Sequence, residues 1–381
     1  MRVAIVLDWL DTRGGAELVL EQLLQCYPEA DIFALVDFMR EGERSFLRGH
    51  KITTSFIQRL PSARRYFRHC LPLMPRAIES LDVSQYDLVI SSSWAFAKAV
   101  KVRPGQAHVS YVHTPIRYAW DQQELYLQQA INFEPLRKLA RFFLARLRRW
   151  DIKTAGRGGR LVANSHFIAE RIQQCWQRDS IVLNPPVTVD DFTCTEVKED
   201  FYVTVSRLVH YKAVETLVEA FNLMPDKRLV VIGDGPMFSG LQAMAGPNVE
   251  LLGYQPREVV VDYLQRARAF VFAAHEDFGI VLVEAQACGT PVIAYGQGGA
   301  LDSVIPYEDT STSEGACSPT GLFFDQQTPD SVVGAVEGFE ALDEGISARA
   351  CAANAARFAP DKFRREFMAI VEQALEASAD C

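Results

Sequence analysis

Long apolar runs, paired cysteines and metal-ligand spacings are all missing from this sequence of 381 residues. No apolar run reaches the roughly 20 residues that a membrane-spanning helix needs. The eight cysteines form no Cys-x-x-Cys pair and no Cys/His ligand spacing, which is typical of reduced thiols in the cytoplasm and predicts no zinc site. There is also no Asp-x-Asp motif, P-loop or Ser–His–Asp pattern, so we expect no metal-bound diphosphate of the Asp-x-Asp type.

Charge is distributed unevenly along the chain. The net charge is −9, but residues 1–195 carry +6 and the remaining residues carry −15. A basic half indicates that one lobe contacts an anionic surface. Because no recognised nucleic-acid-binding motif accompanies it, a membrane surface or a lipid diphosphate is favoured over nucleic acid. The hydrophobic content of 49% is typical of a globular protein.

Strands alternate with helices along the whole sequence, which predicts an α/β fold with parallel sheets. Strand patterns such as VAIVLDWL alternate with amphipathic patterns such as AELVLEQLLQCY, and the series restarts after Pro185 and Pro186 with YVTVSRL. We therefore predict two domains, residues 1–185 and residues 186–359, followed by a terminal helix over 360–381, which the resemblance described below assigns to the first domain. The N-terminal MRVAIVLDWL is interpreted as the first strand and not as a signal peptide.

Two glutamates bracket seven residues in the segment RAFVFAAHEDFGIVLVEAQACGTPVIAY. The pattern predicts a buried strand, a loop with Glu276, a helix that starts near Gly279 and carries Glu284, and a second strand. Ligands bind at the carboxyl ends of parallel strands, where the N–H groups of Phe278, Gly279 and Ile280 can face phosphate and sugar oxygens. Each carboxylate can accept hydrogen bonds from two hydroxyls. The alternative is a helix with an exposed glutamate at each end.

The glutamate pair, followed by ACGTPVIAYGQGG, resembles the most diagnostic segment of the family 4 retaining nucleotide-sugar glycosyltransferases. That family has two Rossmann-like domains facing a cleft, the GT-B fold. The resemblance implies that residues 1–185 bind the acceptor, that residues 186–359 bind the donor, and that the C-terminal helix packs back on the first domain. It also implies that Glu276 holds the transferred sugar and Glu284 the ribose.

Two cations follow a predicted strand in VSRLVHYKAVETL. Arg207 and Lys212 can clamp a diphosphate and stabilise the charge that develops on a leaving nucleotide. The resemblance assigns this role to them, although Ala213 stands where the family usually has Gly. The alternative is a pair of solvated surface cations.

Two turns lie close to this motif in the predicted sheet. Asp234 in VIGDGP resembles the family's turn near the nucleotide, although an ordinary βα turn is the alternative. Tyr254 in LLGYQP follows a segment that resembles the strand end meeting the nucleobase.

The N-terminal domain has two candidate sites. Gly14 and Gly15 precede a helix with Glu17, in a GGAE motif that resembles the family's N-terminal loop and forms either a phosphate or acceptor site or a plain tight turn. His113 lies in HTPIRYAWD with Asp121 and is either structural or, by resemblance, a contact of the transferred sugar. This string resembles bacterial polysaccharide mannosyltransferases that use GDP-mannose.

Residues 135–153, PLRKLARFFLARLRRWDIK, predict a basic amphipathic helix. Such a helix can lie on an anionic membrane through Arg141, Arg146, Arg148 and Arg149. The alternative is a solvated helix whose apolar side packs on the sheet.

The resemblance therefore implies retaining transfer of mannose from GDP-mannose to a hydroxyl of a lipid-diphosphate-linked saccharide in bacterial O-antigen or lipopolysaccharide biosynthesis. His113, Arg207, Lys212 and Glu276 would be the catalytic residues, without a metal or another cofactor. The enzyme would be cytoplasmic and peripheral on the inner face of the cell membrane. Two alternatives stay open, namely a UDP-hexose donor and a non-transferring sugar-nucleotide epimerase or binding protein.

Overall fold

The chain divides into two compact units. Unit 1 comprises Met1–Pro186 and Asp361–Cys381, and unit 2 comprises Val187–Pro360. The computed structural model describes residues 1–120, 123, 127, 133–157, 159–307, 318–342 and 345–379. Outside the described residues lie Asp121 of the HTPIRYAWD string and two of the eight cysteines, Cys317 and Cys381. The last two residues of the expected 360–381 helix also lie outside them.

Unit 1 is built on a parallel sheet with strand order β3-β2-β1-β4-β5-β6-β7. The strands are β1 (Val3–Leu10), β2 (Asp31–Asp37), β3 (Ile52–Thr54), β4 (Leu88–Ser93), β5 (Ala107–Val112), β6 (Arg160–Ala163) and β7 (Ile181–Val182). The helices are α1 (Gly15–Cys26), α2 (Ala63–Tyr66), α3 (Met74–Glu79), α4 (Glu134–Ala155) and α5 (His166–Trp176), with 3-10 turns at Glu41–Glu43, Ser45–Leu47, Phe56–Arg59, Phe67–Cys70, Ala97–Ala99 and Arg117–Ala119.

Unit 2 is built on a second parallel sheet with strand order β10-β9-β8-β11-β12-β13. The strands are β8 (Tyr202–Val205), β9 (Leu229–Ile232), β10 (Val249–Gly253), β11 (Ala269–Phe272), β12 (Val292–Tyr295) and β13 (Gly321–Phe324). The helices are α6 (Val214–Asn222), α7 (Phe238–Met244), α8 (Arg257–Arg266), α9 (Ile280–Ala287), α10 (Ala300–Ser303), α11 (Pro329–Glu340) and α12 (Ala348–Ala355), with 3-10 turns at Val189–Asp191, His210–Lys212 and Ala356–Phe358.

Apolar strands explain why both sheets are buried on two faces. Every residue of β4, β5, β9 and β11 is buried, as expected for parallel strands covered by helices on each side. In both sheets the strand order reverses beside the first strand of the unit, the arrangement of a doubly wound Rossmann-like sheet. The predicted α/β fold with two Rossmann-like domains is confirmed.

The C-terminal helix α13 (Pro360–Ala379) completes the core of unit 1. Its residues Phe363, Phe367 and Val371 are almost fully buried among side chains of β1, α1 and β5. The ring of Phe363 lies 5.7 Å from that of Tyr111 on β5. The expected return of this helix to the first domain is therefore confirmed.

The long basic helix α4 is fastened to unit 1 by a buried ion pair near its C-terminus. Lys98 donates to Asp151 at 2.6 Å, and the two side chains are 2% and 0% exposed. The second carboxylate oxygen of Asp151 accepts hydrogen bonds from the indoles of Trp120 at 2.9 Å and Trp176 at 2.7 Å. Because each charge has a charged or polar partner, the desolvation cost is offset and the end of the helix is fixed.

Candidate functional site

Four neighbouring strands of unit 2 place the predicted donor-site residues along one edge of the sheet. The strands lie side by side in the order β10, β9, β8 and β11. The residues that follow their carboxyl ends are, in the same order, Tyr254, Asp234, Arg207 and Glu276. Adjacent strands are about 4.8 Å apart. The edge therefore offers a row of polar groups on either side of the point where strand order reverses, which is where such sheets bind ligands.

Lys212 and Glu276 meet at this reversal point. Lys212 ends the 3-10 turn after β8, and its ammonium group forms an ion pair with the Glu276 carboxylate in the loop after β11. The ammonium also lies 5.9 Å from the centre of the Phe272 ring. Both charged side chains are only partly exposed, at 15% and 17%. Arg207 lies near the start of the same connection and is exposed.

The turn that presents Lys212 is closed by an unusual backbone conformation. Ala213 has φ 50° and ψ 37°, the left-handed region, and it is the N-cap of α6. Glycine adopts this conformation without the clash that a Cβ atom brings. The departure from the family's usual Gly thus adds local strain at the residue next to Lys212.

The Glu276 loop is shaped by two glycines. Gly279 has φ 85° and is the N-cap of α9, so the helix starts where the sequence predicts. A second glycine, Gly299, donates its N–H to the Glu276 carbonyl at 2.8 Å, and a Cβ atom there would lie 2.2 Å from the Phe278 Cα atom. Gly299 was not among the predicted site residues, although the GQGG run after β12 is the sequence signal for this close approach.

Glu284 lies on α9 and is held by an arginine that the sequence did not identify. Arg257, the first residue of α8, contacts the Glu284 carboxylate at 3.3 Å and the Asp191 carboxylate at 3.4 Å. Burial raises the pKa of Glu284, whereas the charge and hydrogen bond of Arg257 lower it. The arginine therefore favours the ionised carboxylate, the form that accepts hydrogen bonds from two hydroxyls.

Asp234 and Tyr254 contribute in different ways. The Asp234 carboxylate accepts a hydrogen bond from the Gly235 N–H at 2.7 Å, and its carbonyl accepts one from the Leu208 N–H at 2.9 Å. These bonds join the turn after β9 to the turn after β8, which carries Arg207. Tyr254 is 80% exposed beyond β10, so its ring is available to a planar ligand group.

In unit 1, His113 follows β5 and is enclosed by polar and aromatic groups. Its Nε2 atom lies 2.8 Å from the Ser92 hydroxyl, and its ring lies 5.1 Å from Tyr111 and 5.9 Å from Trp94. Burial lowers the pKa of His113 to about 4. The imidazole is therefore neutral near pH 7 and offers hydrogen bonding without positive charge.

A buried carboxylate fixes the turn that carries Trp94. Asp8 on β1 accepts hydrogen bonds from four successive N–H groups, those of residues 94–97, at 2.5 to 2.9 Å. Burial raises the pKa of Asp8, and these four bonds oppose the rise. No pattern in the sequence around Asp8 predicts this role.

Gly14 ends the first βα connection of unit 1, whereas Gly15, expected before the helix, is the first residue of α1 and Glu17 lies in its first turn. Gly14 is the N-cap of α1, and its N–H donates to the Glu17 carboxylate at 2.8 Å. Glu17 is 7% exposed. A phosphate or sugar bound at this helix start would therefore contact the Glu17 carboxylate, which already accepts a hydrogen bond from the Gly14 N–H.

The four arginines expected to face a membrane differ in their surroundings. Arg146 and Arg149 are exposed on α4. Arg141 forms an ion pair with Glu134 at 3.1 Å. Arg148 points into unit 1, where its guanidinium donates to the Ala119 carbonyl at 2.6 and 2.9 Å.

Within the described residues, no cluster of three His, Cys, Asp or Glu side chains is arranged to hold a metal ion. Over the same part of the chain, no helix combines the length and apolar character needed to cross a bilayer.

Two family models match the chain one after the other. Residues 13–190 match the model described as Glycosyltransferase Family 4, and residues 192–358 match the model described as Glycosyl transferases group 1. The boundary between the two matches falls close to the division between the two units.

Curated relatives match parts of the chain. A Corynebacterium glutamicum protein, GDP-mannose-dependent monoacylated alpha-(1-6)-phosphatidylinositol monomannoside mannosyltransferase, is 34% identical over 142 residues, which are 32% of this chain and 37% of that protein. A Mycobacterium D-inositol 3-phosphate glycosyltransferase is 28% identical over 250 residues, which are 59% of this chain and 54% of that protein. The chain thus spans between about a third and about half of the length of these relatives.

Solved structures share the fold over nearly the full chain. Anabaena HepE in complex with UDP has a TM-score of 0.69 at 16% identity, with 98% of this chain and all of that chain covered. Sucrose-phosphate synthase from Thermosynechococcus elongatus has a TM-score of 0.69 at 17% identity, with coverage of 99% and 100%. This likeness shows the fold of two Rossmann-like domains, and residues 13–190 and 192–358 within it match the two glycosyltransferase family models.

Proposed function

We propose that the protein is a retaining mannosyltransferase that moves mannose from GDP-mannose to a hydroxyl of a lipid-diphosphate-linked saccharide, in bacterial O-antigen or lipopolysaccharide biosynthesis. The observation that carries the proposal is the contact between Lys212 and Glu276 at the strand-order reversal of unit 2. A cation for the diphosphate and an acceptor for sugar hydroxyls meet there.

The donor lies along the row of strand ends in this proposal. The nucleobase is at Tyr254, the ribose hydroxyls are at Glu284, the diphosphate is at Arg207 and Lys212, and the mannose is at Glu276. The N–H groups of the 278–280 segment at the start of α9 face the phosphate and sugar oxygens. No metal or other cofactor takes part.

Transfer then proceeds in one step at the anomeric carbon. The acceptor oxygen forms a bond to that carbon while the bond from carbon to the diphosphate oxygen breaks, and the acceptor proton passes to the departing phosphate on the same face of the sugar. Arg207 and Lys212 stabilise the negative charge that GDP gains. The neutral His113 supplies a hydrogen bond to the transferred sugar.

The donor assignment rests on two observations of different kinds. The HTPIRYAWD string around His113 resembles GDP-mannose enzymes, and the Corynebacterium relative is named as GDP-mannose-dependent. A UDP-hexose is the second candidate, since Anabaena HepE of the same fold is seen with UDP and with UDP-glucose. Both donors carry the ribose and diphosphate that the proposed residues would hold.

The acceptor assignment places the enzyme at the cytoplasmic face of an anionic membrane. The acceptor's lipid resides in a bilayer, and the cations of α4, Arg146 and Arg149 among them, lie on unit 1, which is the proposed acceptor-binding unit. Binding at this surface would bring the enzyme to the lipid-linked saccharide without a membrane-spanning helix.

Incubation of the protein with radiolabelled GDP-mannose, UDP-glucose and UDP-galactose, each with a lipid-diphosphate-linked saccharide extract, tests the proposal. We expect label in the lipid fraction from GDP-mannose, and NMR of the product should show an α linkage that retains the donor's configuration. Faster transfer from a UDP-hexose would show that the donor is a UDP-hexose and not GDP-mannose. Release of a free epimerised sugar nucleotide, or binding without turnover, would show that the protein is not a transferase.

A further inference from the structure

A row of aromatic rings follows the carboxyl edge of the sheet in unit 1. The strands β2, β1, β4 and β5 lie side by side, and at or just beyond their carboxyl ends are, in the same order, Phe38, Trp9, Trp94 and His113. The Trp94 ring lies 5.5 Å from that of Trp9 and 5.9 Å from that of His113. The row therefore leads to the imidazole that the proposed function places against the transferred sugar.

The two tryptophans of this row differ from the other three in their hydrogen bonds. Each of the other three donates its indole N–H to a carboxylate at 2.7 to 3.1 Å, namely Trp120, Trp150 and Trp176. The indole N–H groups of Trp9 and Trp94 have no acceptor among the described residues, and both side chains are partly exposed. This edge thus offers a ligand apolar rings together with two N–H donors.

Contacts within unit 1 fix the ring of one tryptophan and the backbone of the other. Trp9 packs edge to face on Phe67, which is 2% exposed, with 5.8 Å between the ring centres. The backbone N–H of Trp94 donates at 2.7 Å to Asp8, the residue before Trp9, and the same buried carboxylate also accepts from the next three N–H groups. A ligand therefore binds a preformed surface and loses little free energy to ordering the protein.

A pyranose ring matches this surface better than the other ligands that aromatic rings bind. The C–H groups of a sugar pack on an indole face, whose π electrons attract them, while an indole N–H donates to a hydroxyl at the rim of the sugar. A lipid chain would cover the rings but leave both N–H donors without acceptors, which is unfavourable. A nucleobase would also stack, but the donor in the proposed function places its base at Tyr254 in unit 2.

We propose that Trp94 and Trp9 bind the pyranose of the acceptor whose hydroxyl receives the mannose. Because Trp94 and His113 follow adjacent strands, about 4.8 Å apart, the acceptor sugar and the transferred sugar lie side by side. The inference rests on the proposed function for the identity of the reaction, whereas the sugar site itself rests on the aromatic row and its two N–H donors.

Saturation-transfer NMR of the full chain with the methyl pyranosides of mannose, glucose, galactose and rhamnose tests the site without turnover. Wild type should transfer saturation to the ring C–H protons of at least one of these sugars. Trp94→Ala and Trp9→Ala should each bind that sugar about tenfold more weakly, because the stacking surface is lost, while GDP affinity stays unchanged. Trp94→Phe keeps a ring without the N–H, should bind between wild type and Trp94→Ala, and carries the test if Trp94→Ala does not fold. Phe56→Ala, at a 42% exposed aromatic of unit 1 outside the row, is the matched control and should bind as wild type does.

Transfer from GDP-mannose to the lipid-diphosphate-linked saccharide extract gives a second measurement. In Trp94→Ala the acceptor KM should rise about tenfold, while the KM for GDP-mannose stays unchanged. No sugar signal from wild type, or equal sugar binding by wild type and both tryptophan variants, would overturn the site. Sugar binding that depends on Trp94 without any transfer from GDP-mannose would support this site and refute the proposed reaction.

Discussion

Replacing Glu276 with Gln removes the carboxylate that forms an ion pair with Lys212. The two side chains are 15% and 17% exposed, so solvent screens the pair in part, and we take its worth as about 0.5–1 kcal/mol. If a nucleoside diphosphate must draw Lys212 away from Glu276, GDP should bind Glu276→Gln about two- to fivefold more tightly. Transfer from the sugar nucleotide should fall about a hundredfold, because the sugar loses a charged acceptor.

Isothermal titration with GDP and a transfer assay measure the two effects side by side. The gain in GDP affinity should vanish when Lys212→Ala is added to Glu276→Gln. Glu215→Gln is the matched control, because it removes a carboxylate from the first turn of α6, in the same connection as Lys212, and should leave GDP affinity nearly unchanged. Unchanged or weaker GDP binding by Glu276→Gln, or a gain that persists without Lys212, would refute the exchange of partners.

Three further outcomes follow from the geometry. Arg257→Gln should raise the pKa of Glu284 further, because the arginine favours the ionised carboxylate. GDP affinity, titrated from pH 8 to 5, should therefore decline at a higher pH than in wild type. A decline at the same pH in both proteins would contradict the contact. Ala213→Gly should stabilise unit 2 by about 0.5–1 kcal/mol in urea unfolding, since glycine relieves the left-handed strain, and a loss would contradict this. Lys98→Met should destabilise unit 1 by about 3–5 kcal/mol, because it leaves Asp151 charged and buried, and a cost below 1 kcal/mol would show the pair to be dispensable.

The sheets and the start of α9 were predictable because their signals are local. The buried strand β11 is apolar at every position, a pattern typical of parallel strands, and Gly279 suits the point where the backbone turns left-handed. The placement of Glu276 at a strand end follows from that strand alone. Lys212 was a separate candidate in the sequence, and its ion pair with Glu276 depends on β8 and β11 being adjacent.

Other features depend on contacts between distant segments or on patterns too weak to read. Arg257 and Glu284 are 27 residues apart, and nothing in either local pattern indicates their contact. The three-residue strand β3 and the short helical turns between residues 41 and 79 lack a clear period. The inward direction of Arg148 could not be predicted, because α4 carries cations on both faces and the contacts of Arg148 with Ala119, Trp120 and Gln123 leave no sign in the local pattern.

The position of α13 in unit 1 has a consequence for how the chain folds during synthesis. Phe363, Phe367 and Val371 are synthesised after residues 187–360, so the core of unit 1 stays incomplete until the whole of unit 2 has been made. Until then, the groove of β1, α1 and β5 that these side chains fill stays open. Nascent chains would expose that groove to chaperones, and a stop codon near residue 360 would leave unit 1 aggregation-prone while unit 2 folds.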